Sequence, residues 1–126
     1  MKKLLTLAAF LLLTAMTFQL HAQSLRNADW KTYIGGEIND TITLHIHSDS
    51  SLVTNSAGAV FVRSLCKISG DTLTLNDYDG PYACPNMEGK YRIHLEDSHL
   101  TLSLISDPCD GRLHAIDGIK WVKWSK

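Results

Sequence analysis

Ile68-Ser69-Gly70-Asp71-Thr72-Leu73-Thr74-Leu75 and Leu95-Glu96-Asp97-Ser98-His99-Leu100-Thr101-Leu102 repeat one short phrase, and each copy is followed by a cysteine, Cys84 and then Cys109. In both copies a strand ends, a polar turn follows, and a strand resumes with leucines at alternate positions. Alternation of this kind places Leu73 with Leu75, and Leu100 with Leu102, on one face of a sheet. Two such hairpins in succession describe an antiparallel β meander. The two cysteines lie in turn-like sequence beside prolines, Cys84-Pro85 and Pro108-Cys109, which points to a disulfide and an oxidising compartment.

Working outward from this core, strand and turn signals alternate every 8 to 12 residues or so, the rhythm of an all-β barrel or sandwich. Trp30 to Ile34 reads as a first strand, closed by Gly35-Gly36. Thr41 to His47 alternates, with Ile42, Leu44 and Ile46 on one face and Thr43, His45 and His47 on the other. Further strands are expected around Leu52 to Asn55, Val60 to Ile68, Thr72 to Asn76, Lys90 to Leu95, Leu100 to Ser106, Arg112 to Ile116 and Lys120 to Trp124. Asp77 to Met87 is the longest irregular piece, and no helix is expected after the amino-terminal segment. Eight or nine short strands in sequential order would leave two unpaired edges as an open sheet. Closure into a small antiparallel up-and-down barrel removes them. Such a barrel can be filled by side chains or can hold one small ligand.

The amino-terminal end has the order of a secretory signal peptide: Lys2 and Lys3, an apolar run from Leu4 to Phe18, and a short polar stretch ending at Ala22. Cleavage after Ala22 divides the chain into a signal segment, residues 1–22, and one domain, residues 23–126. The apolar run is shorter than the roughly 20 residues a membrane span needs, and no cysteine near the cut offers a lipid anchor. Without Lys2 and Lys3 the 12 basic residues become 10 against 13 acidic ones, a formal charge of −3. That balance gives no basic stripe for nucleic acid. The domain is therefore expected to be secreted or periplasmic, with no membrane span once the signal is removed.

Three cysteines leave one unpaired. Cys66 lies in an alternating apolar stretch and reads as a buried thiol, with Cys84 and Cys109 as the bridge, although all three pairings are compatible with the sequence. Closing a loop of about 25 residues contributes roughly 3–3.5 kcal/mol on the chain-entropy account.

Gly70-Asp71-x-Leu73-Thr74-Leu75, Gly80-Pro81-Tyr82-Ala83-Cys84-Pro85, Gly89-Lys90-Tyr91, Leu100-Thr101-Leu102 and Asp107-Pro108-Cys109-x-Gly111-Arg112 stand in this order. The series resembles a group of small secreted bacterial proteins with a lipocalin-like (calycin) β-barrel, most of them without an assigned activity. The resemblance covers about three quarters of the domain and implies the same Cys84–Cys109 bridge. It also implies that Trp30 and Arg112 form the tryptophan–arginine pair that closes one end of calycin barrels, a guanidinium stacked on an indole. Ala28-Asp29-Trp30 departs from the usual Gly-x-Trp opening, and the chain is shorter than a typical lipocalin.

Several candidate chemistries stand beside plain folding roles. His45 and His47 share a strand face and could offer two imidazoles to one metal, but no carboxylate or cysteine stands at a diagnostic distance, so no metal site is expected. Asp77-x-Asp79 with Glu88 suggests a calcium loop, yet Tyr82 occupies the position where that loop needs glycine. No Gly-x-Ser-x-Gly elbow or phosphate-cradling loop occurs, and no cofactor is called for. A barrel mouth of Tyr78, Tyr82 and Trp124, with Arg112 nearby, is the expected ligand-binding site. The first functional expectation is a module binding a small apolar or amphipathic molecule inside the barrel. The face lining it would be Ile42, Leu44, Ile46, Val60, Val62, Leu73, Leu75, Ile93, Leu100 and Leu102. The second is a protein-interaction or inhibitor role for the Asp77–Met87 loop. The third is a calycin-type enzyme such as a cyclase or decarboxylase, which requires His45, Arg92, His94 or Arg112 to converge inside the lumen.

Overall fold

The computed structural model describes residues 25–125. The signal segment, residues 1–22, and its cleavage after Ala22 lie outside the described residues. Eight strands follow one another around a closed barrel: β1 Ala28–Ile34, β2 Asp40–Ile46, β3 Ser50–Thr54, β4 Val60–Ser69, β5 Thr72–Asp79, β6 Glu88–Glu96, β7 His99–Ser106 and β8 Lys120–Trp124. Every neighbouring pair is antiparallel, and β8 returns to β1 through Asp29–Trp124, Trp30–Lys123 and Lys31–Val122. This is the all-β up-and-down barrel that the alternating leucines predict.

The expected face is the inner one. Ile42, Leu44, Ile46, Leu73, Leu75, Leu100 and Leu102 are buried, while Val60, Val62 and Ile93 are half-buried. Leu25, Trp30 and Tyr91 are also fully buried and add bulk to the interior. Burial of each large apolar side chain contributes roughly 1.5–3 kcal/mol, which makes this inner face the main source of stability. Among the described residues no helix is long and apolar enough to cross a membrane.

Sequential antiparallel strands give the barrel two unlike ends. The β2–β3, β4–β5 and β6–β7 turns are tight and gather at one end, with Leu25 packed beneath them. The β1–β2, β3–β4 and β5–β6 loops and the segment between β7 and β8 gather at the other.

One expectation is overturned. Arg112 to Ile116 is not a strand but part of a short helix, α1, Asp110–Ile116. Cys109 caps it: its carbonyl accepts from the Leu113 N–H at 2.9 Å, and its Sγ accepts from the Arg112 N–H at 3.4 Å. Asp117 closes the other end, and Gly118, with φ near +70°, releases the chain toward β8. Arg112-Leu113-His114-Ala115-Ile116 mimics a strand by alternating polar and apolar residues, but its helical turn lays Arg112, Ala115 and Ile116 on one face over the barrel.

A second correction concerns β5, which runs on to Asp79 rather than ending at Asn76. Ser64 pairs with Asp77 and Arg63 with Asp79, so Tyr78 is the extra residue of a β-bulge. The irregular segment is thereby shortened to residues 80–87. Cys84 and Cys109 form the disulfide and Cys66 is a buried thiol, the pairing favoured from the sequence.

Candidate functional site

A cavity of about 150 Å³ opens at the loop end of the barrel. Most of its wall is apolar: Ile34 and Ile38 from the β1–β2 side, Ile42 and Leu44 from β2, Phe61 and Val62 from β4, Ala115 and Ile116 from α1, and Trp121 from β8. For scale, a dry cavity of about 150 Å³ in another protein accommodates benzene. The polar members are Ser51, Ser64, Asp77, Tyr82 and Arg112.

Asp77 occupies the inner wall for the reason that Leu73 and Leu75 do: it continues their alternation along β5. Opposite it on β4, Ser64 donates from Oγ to Asp77 Oδ1 at 2.6 Å. The Cys84 N–H donates to Asp77 Oδ2 at 2.9 Å, so the β5–β6 loop is tied to the strand it leaves. Arg112 enters from α1. Its Nε and Nη2 donate to the two oxygens of Asp107 at 2.7 and 2.8 Å, a two-pronged fork, and Nη2 also donates to the Met87 carbonyl at 2.5 Å. Arg112 Nη1 lies 3.0 Å from Asp77 Oδ2, so the guanidinium is paired with both carboxylates. Tyr91 donates its hydroxyl hydrogen to Asp107, and the Cys109 N–H donates to Asp107 Oδ1 at 2.9 Å. The side chains of Arg112, Asp77 and Asp107 are only 6, 1 and 0 % exposed.

Two carboxylates thus face one guanidinium away from water. Burial pushes the Asp107 carboxyl up, but hydrogen bonds from Arg112, Tyr91 and the Cys109 N–H together hold it below its ordinary value. Burial pushes the Tyr91 phenol up, and its contact with Asp107 pushes it further, so it stays protonated. For Arg112, burial alone would lower the value; Asp107 and Asp77 more than offset it, and the guanidinium stays charged. Because Asp107 releases its proton more readily folded than unfolded, its contribution to stability is full above its ordinary value of about 3.9 and is lost as pH falls through the lower folded value. Thermal melts from about pH 6 down to about pH 2 should show this loss, and Asp107→Asn should make that acid limb shallower.

Gly89 on β6 makes room for the fork. A Cβ there would sit 2.5 Å from Asp107 Oδ2 and 3.0 Å from both Nε and Nη2 of Arg112. Gly89→Ala should therefore cost about 1–3 kcal/mol, the range for an overfilled interior. Urea unfolding of the variant beside the parent would measure it.

Of the four ligand-binding residues expected, Tyr82 and Arg112 line the cavity. Tyr78 and Trp124 are not brought to it. Tyr78 is 56 % exposed at the bulge. Trp124 lies on the outer surface, with Lys31 Nζ 3.8 Å above its ring. Three positions separate Trp121 from Trp124, so the inward placement of the first turns the second outward. The expected stack of Arg112 on Trp30 does not form either. Trp30 Nε1 donates to the Leu25 carbonyl at 3.4 Å near the tight-turn end, whereas Arg112 is held among Asp77, Asp107 and Met87 at the loop end.

Of the four side chains that could supply an enzyme's polar groups, Arg112 lines the cavity and the other three do not join it. His45 bridges Asp29, at 2.7 Å, and Thr54, at 3.0 Å, and none of the three lines the cavity. Arg92 meets Asp71 at 3.5 Å on the surface, and His94 is exposed. Among the described residues no three His, Cys, Asp or Glu side chains are grouped to hold a metal ion. Comparison with protein-family models, with curated proteins and with solved structures finds no match for this chain.

Proposed function

We propose that this chain is an exported, lipocalin-like module that binds a small apolar or amphipathic molecule through the loop end of its barrel. The observation that carries this reading is the apolar cavity beneath α1, walled by Ile34, Ile38, Phe61, Val62 and Ile116 and reached at one end only by polar groups. Small-molecule sites are commonly concave and mostly apolar, with a few fixed polar groups that orient the ligand. The cavity's size favours a single ring or part of a longer chain over a large lipid. The Cys84–Cys109 disulfide and the signal-like leader support an oxidising, extracytoplasmic location.

Ala115→Trp tests this. Ala115 lines the cavity and is half-buried, so the larger ring would occupy the space that a ligand needs. An environment-sensitive apolar dye should brighten with the parent protein and stay dark with the variant while the β-sheet spectrum is retained. Equal brightening in both would refute the proposal.

A partner-binding role for the β5–β6 loop is the second reading. Tyr78, Tyr82 and Met87 remain exposed on and beside a segment fixed at Cys84 by the disulfide. On this reading Tyr78→Ser/Tyr82→Ser abolishes capture of a protein partner, and Ala115→Trp leaves capture intact.

A further inference from the structure

The Cys84–Cys109 bridge joins two segments that meet over the cavity. Cys84 follows Tyr82 in the β5–β6 loop, and Cys109 stands directly before α1; Tyr82 lines the cavity together with Gly111, Ala115 and Ile116 of the helix. The Arg112 side chain adds a second tie, to Asp77 and to the Met87 carbonyl. That tie leans on the bridge, because the Cys84 N–H holds Asp77 and the Cys109 N–H holds Asp107. The far end of α1 is fastened separately. The Leu104 N–H donates to Asp117 Oδ1 at 2.8 Å, and the Gly118 N–H donates to the Leu102 carbonyl at 2.9 Å.

With seven residues α1 cannot hold itself, since isolated helices shorter than about 12–15 residues are marginal in water. Its first turn is kept in place by what Cys109 supplies: the covalent tie, the Sγ that accepts from the Arg112 N–H and the carbonyl that accepts from the Leu113 N–H. We infer that the bridge is a redox clasp: a dithiol that reduces it frees the start of α1 from the β5–β6 loop, opens the cavity and releases the bound molecule. The inference rests on the reading of this cavity as a binding site and adds how its occupancy is controlled.

The exchange balances with the dithiol as reductant. Cys84 is half-buried beside the exposed Pro85 and Asn86, whereas Cys109 is 3 % exposed, so a thiolate approaches from the Cys84 side. It bonds to Cys84 Sγ as a mixed disulfide while the Cys84–Cys109 bond breaks, and the electron pair leaves on Cys109 Sγ. That sulfur already accepts from the Arg112 N–H at 3.4 Å, a contact that strengthens as negative charge develops on it. The second thiol of the reductant then attacks the mixed disulfide. The reductant ends as a disulfide, and Cys84 and Cys109 take up the two protons it gave up. Cys66 is a buried thiol outside this exchange.

The test follows fluorobenzene, a single apolar ring, by its fluorine resonance. It is mixed with the oxidised protein, with protein reduced by dithiothreitol, and with reduced protein that has been reoxidised. Reduction should weaken binding by at least roughly tenfold, most of it as faster release, and reoxidation should restore it. Amide hydrogen exchange should quicken at Cys84, Arg112 and Leu113 and hold steady along β2, with the β-sheet circular dichroism retained. Cys84→Ser/Cys109→Ser should bind as the reduced protein does and ignore dithiothreitol.

Affinity and release that ignore reduction would overturn the inference while leaving the binding proposal standing. So would loss of the β-sheet spectrum on reduction, for the bridge would then hold the whole fold rather than its cover. A response to dithiothreitol that persists in the double variant would place the effect elsewhere and overturn it equally. Fluorobenzene that binds neither the oxidised nor the reduced protein would instead bring down the binding proposal and this inference with it.

Discussion

Arg112→Ala should lower the stability of the domain by about 3–5 kcal/mol, the range for removing one partner from a buried ion pair. The loss comes less from the missing attraction than from what is left behind. Asp77 and Asp107 would remain under the helix with no countercharge, and the Met87 carbonyl would lose its donor. For a domain of this size each kcal/mol shifts the melting temperature by roughly 4–8 °C, so a drop of about 12–40 °C is expected in a thermal melt. Arg112→Lys keeps the charge but not the fork on Asp107, and should fall between the two. The surface pair Arg63–Asp79 provides the contrast: both groups are largely exposed at 3.4 Å, and Arg63→Ala should change stability by no more than about 1 kcal/mol. If Arg112→Ala behaved like Arg63→Ala, the cluster would have no structural role.

Cys84→Ser/Cys109→Ser should be of similar size, a loss of about 2–5 kcal/mol. The sequence separation of 25 residues alone accounts for roughly 3.5 kcal/mol as chain entropy restored to the unfolded state. The bridge also has local consequences. Each cysteine donates its backbone N–H to one of the buried carboxylates, Cys84 to Asp77 and Cys109 to Asp107, and Cys109 caps α1. Opening the bridge frees both donors to drift from the acids that Arg112 must balance. The effects of removing the bridge and of removing Arg112 should therefore fail to add, with a coupling of about 0.5–3 kcal/mol in a double-mutant cycle. Strict additivity would mean that bridge and ion cluster act independently. Against a total of 5–15 kcal/mol for an ordinary domain, either loss alone is large.

The barrel was legible because one sheet face is almost uniformly apolar and the other is not. Ile42/Leu44/Ile46, Leu73/Leu75 and Leu100/Leu102 declare both strand and inward face through their spacing. The polar cluster obeys the same spacing, but just beyond the strand end expected at Asn76. Continued by one residue past Asn76, Leu73-x-Leu75-x-Asp77 places the acid inward; along β6, Gly89-x-Tyr91-x-Ile93 does the same for Tyr91. An inward carboxylate among leucines is itself the signal that a cation must reach it from elsewhere.

Helix α1 was harder to read. Alternation holds from Arg112 to Ala115 and breaks only at Ile116, too short a run for length to decide between a strand and one helical turn. Asp110 in the first turn and Asp117-Gly118 after the last were the signals available for a helix. The cavity had no local signature at all. It depends on Ile38, Phe61, Ile116 and Trp121, which are far apart in the chain and meet only when β8 closes onto β1.

Leu25 and Trp124 both lie at the tight-turn pole, away from the cavity. A label, a fused domain or an immobilising tag attached before the first or after the second would hang from that pole and leave the opposite face clear. The molecule can thus be fixed to a sensor surface through either of these positions with the open end of its cavity turned toward the solution.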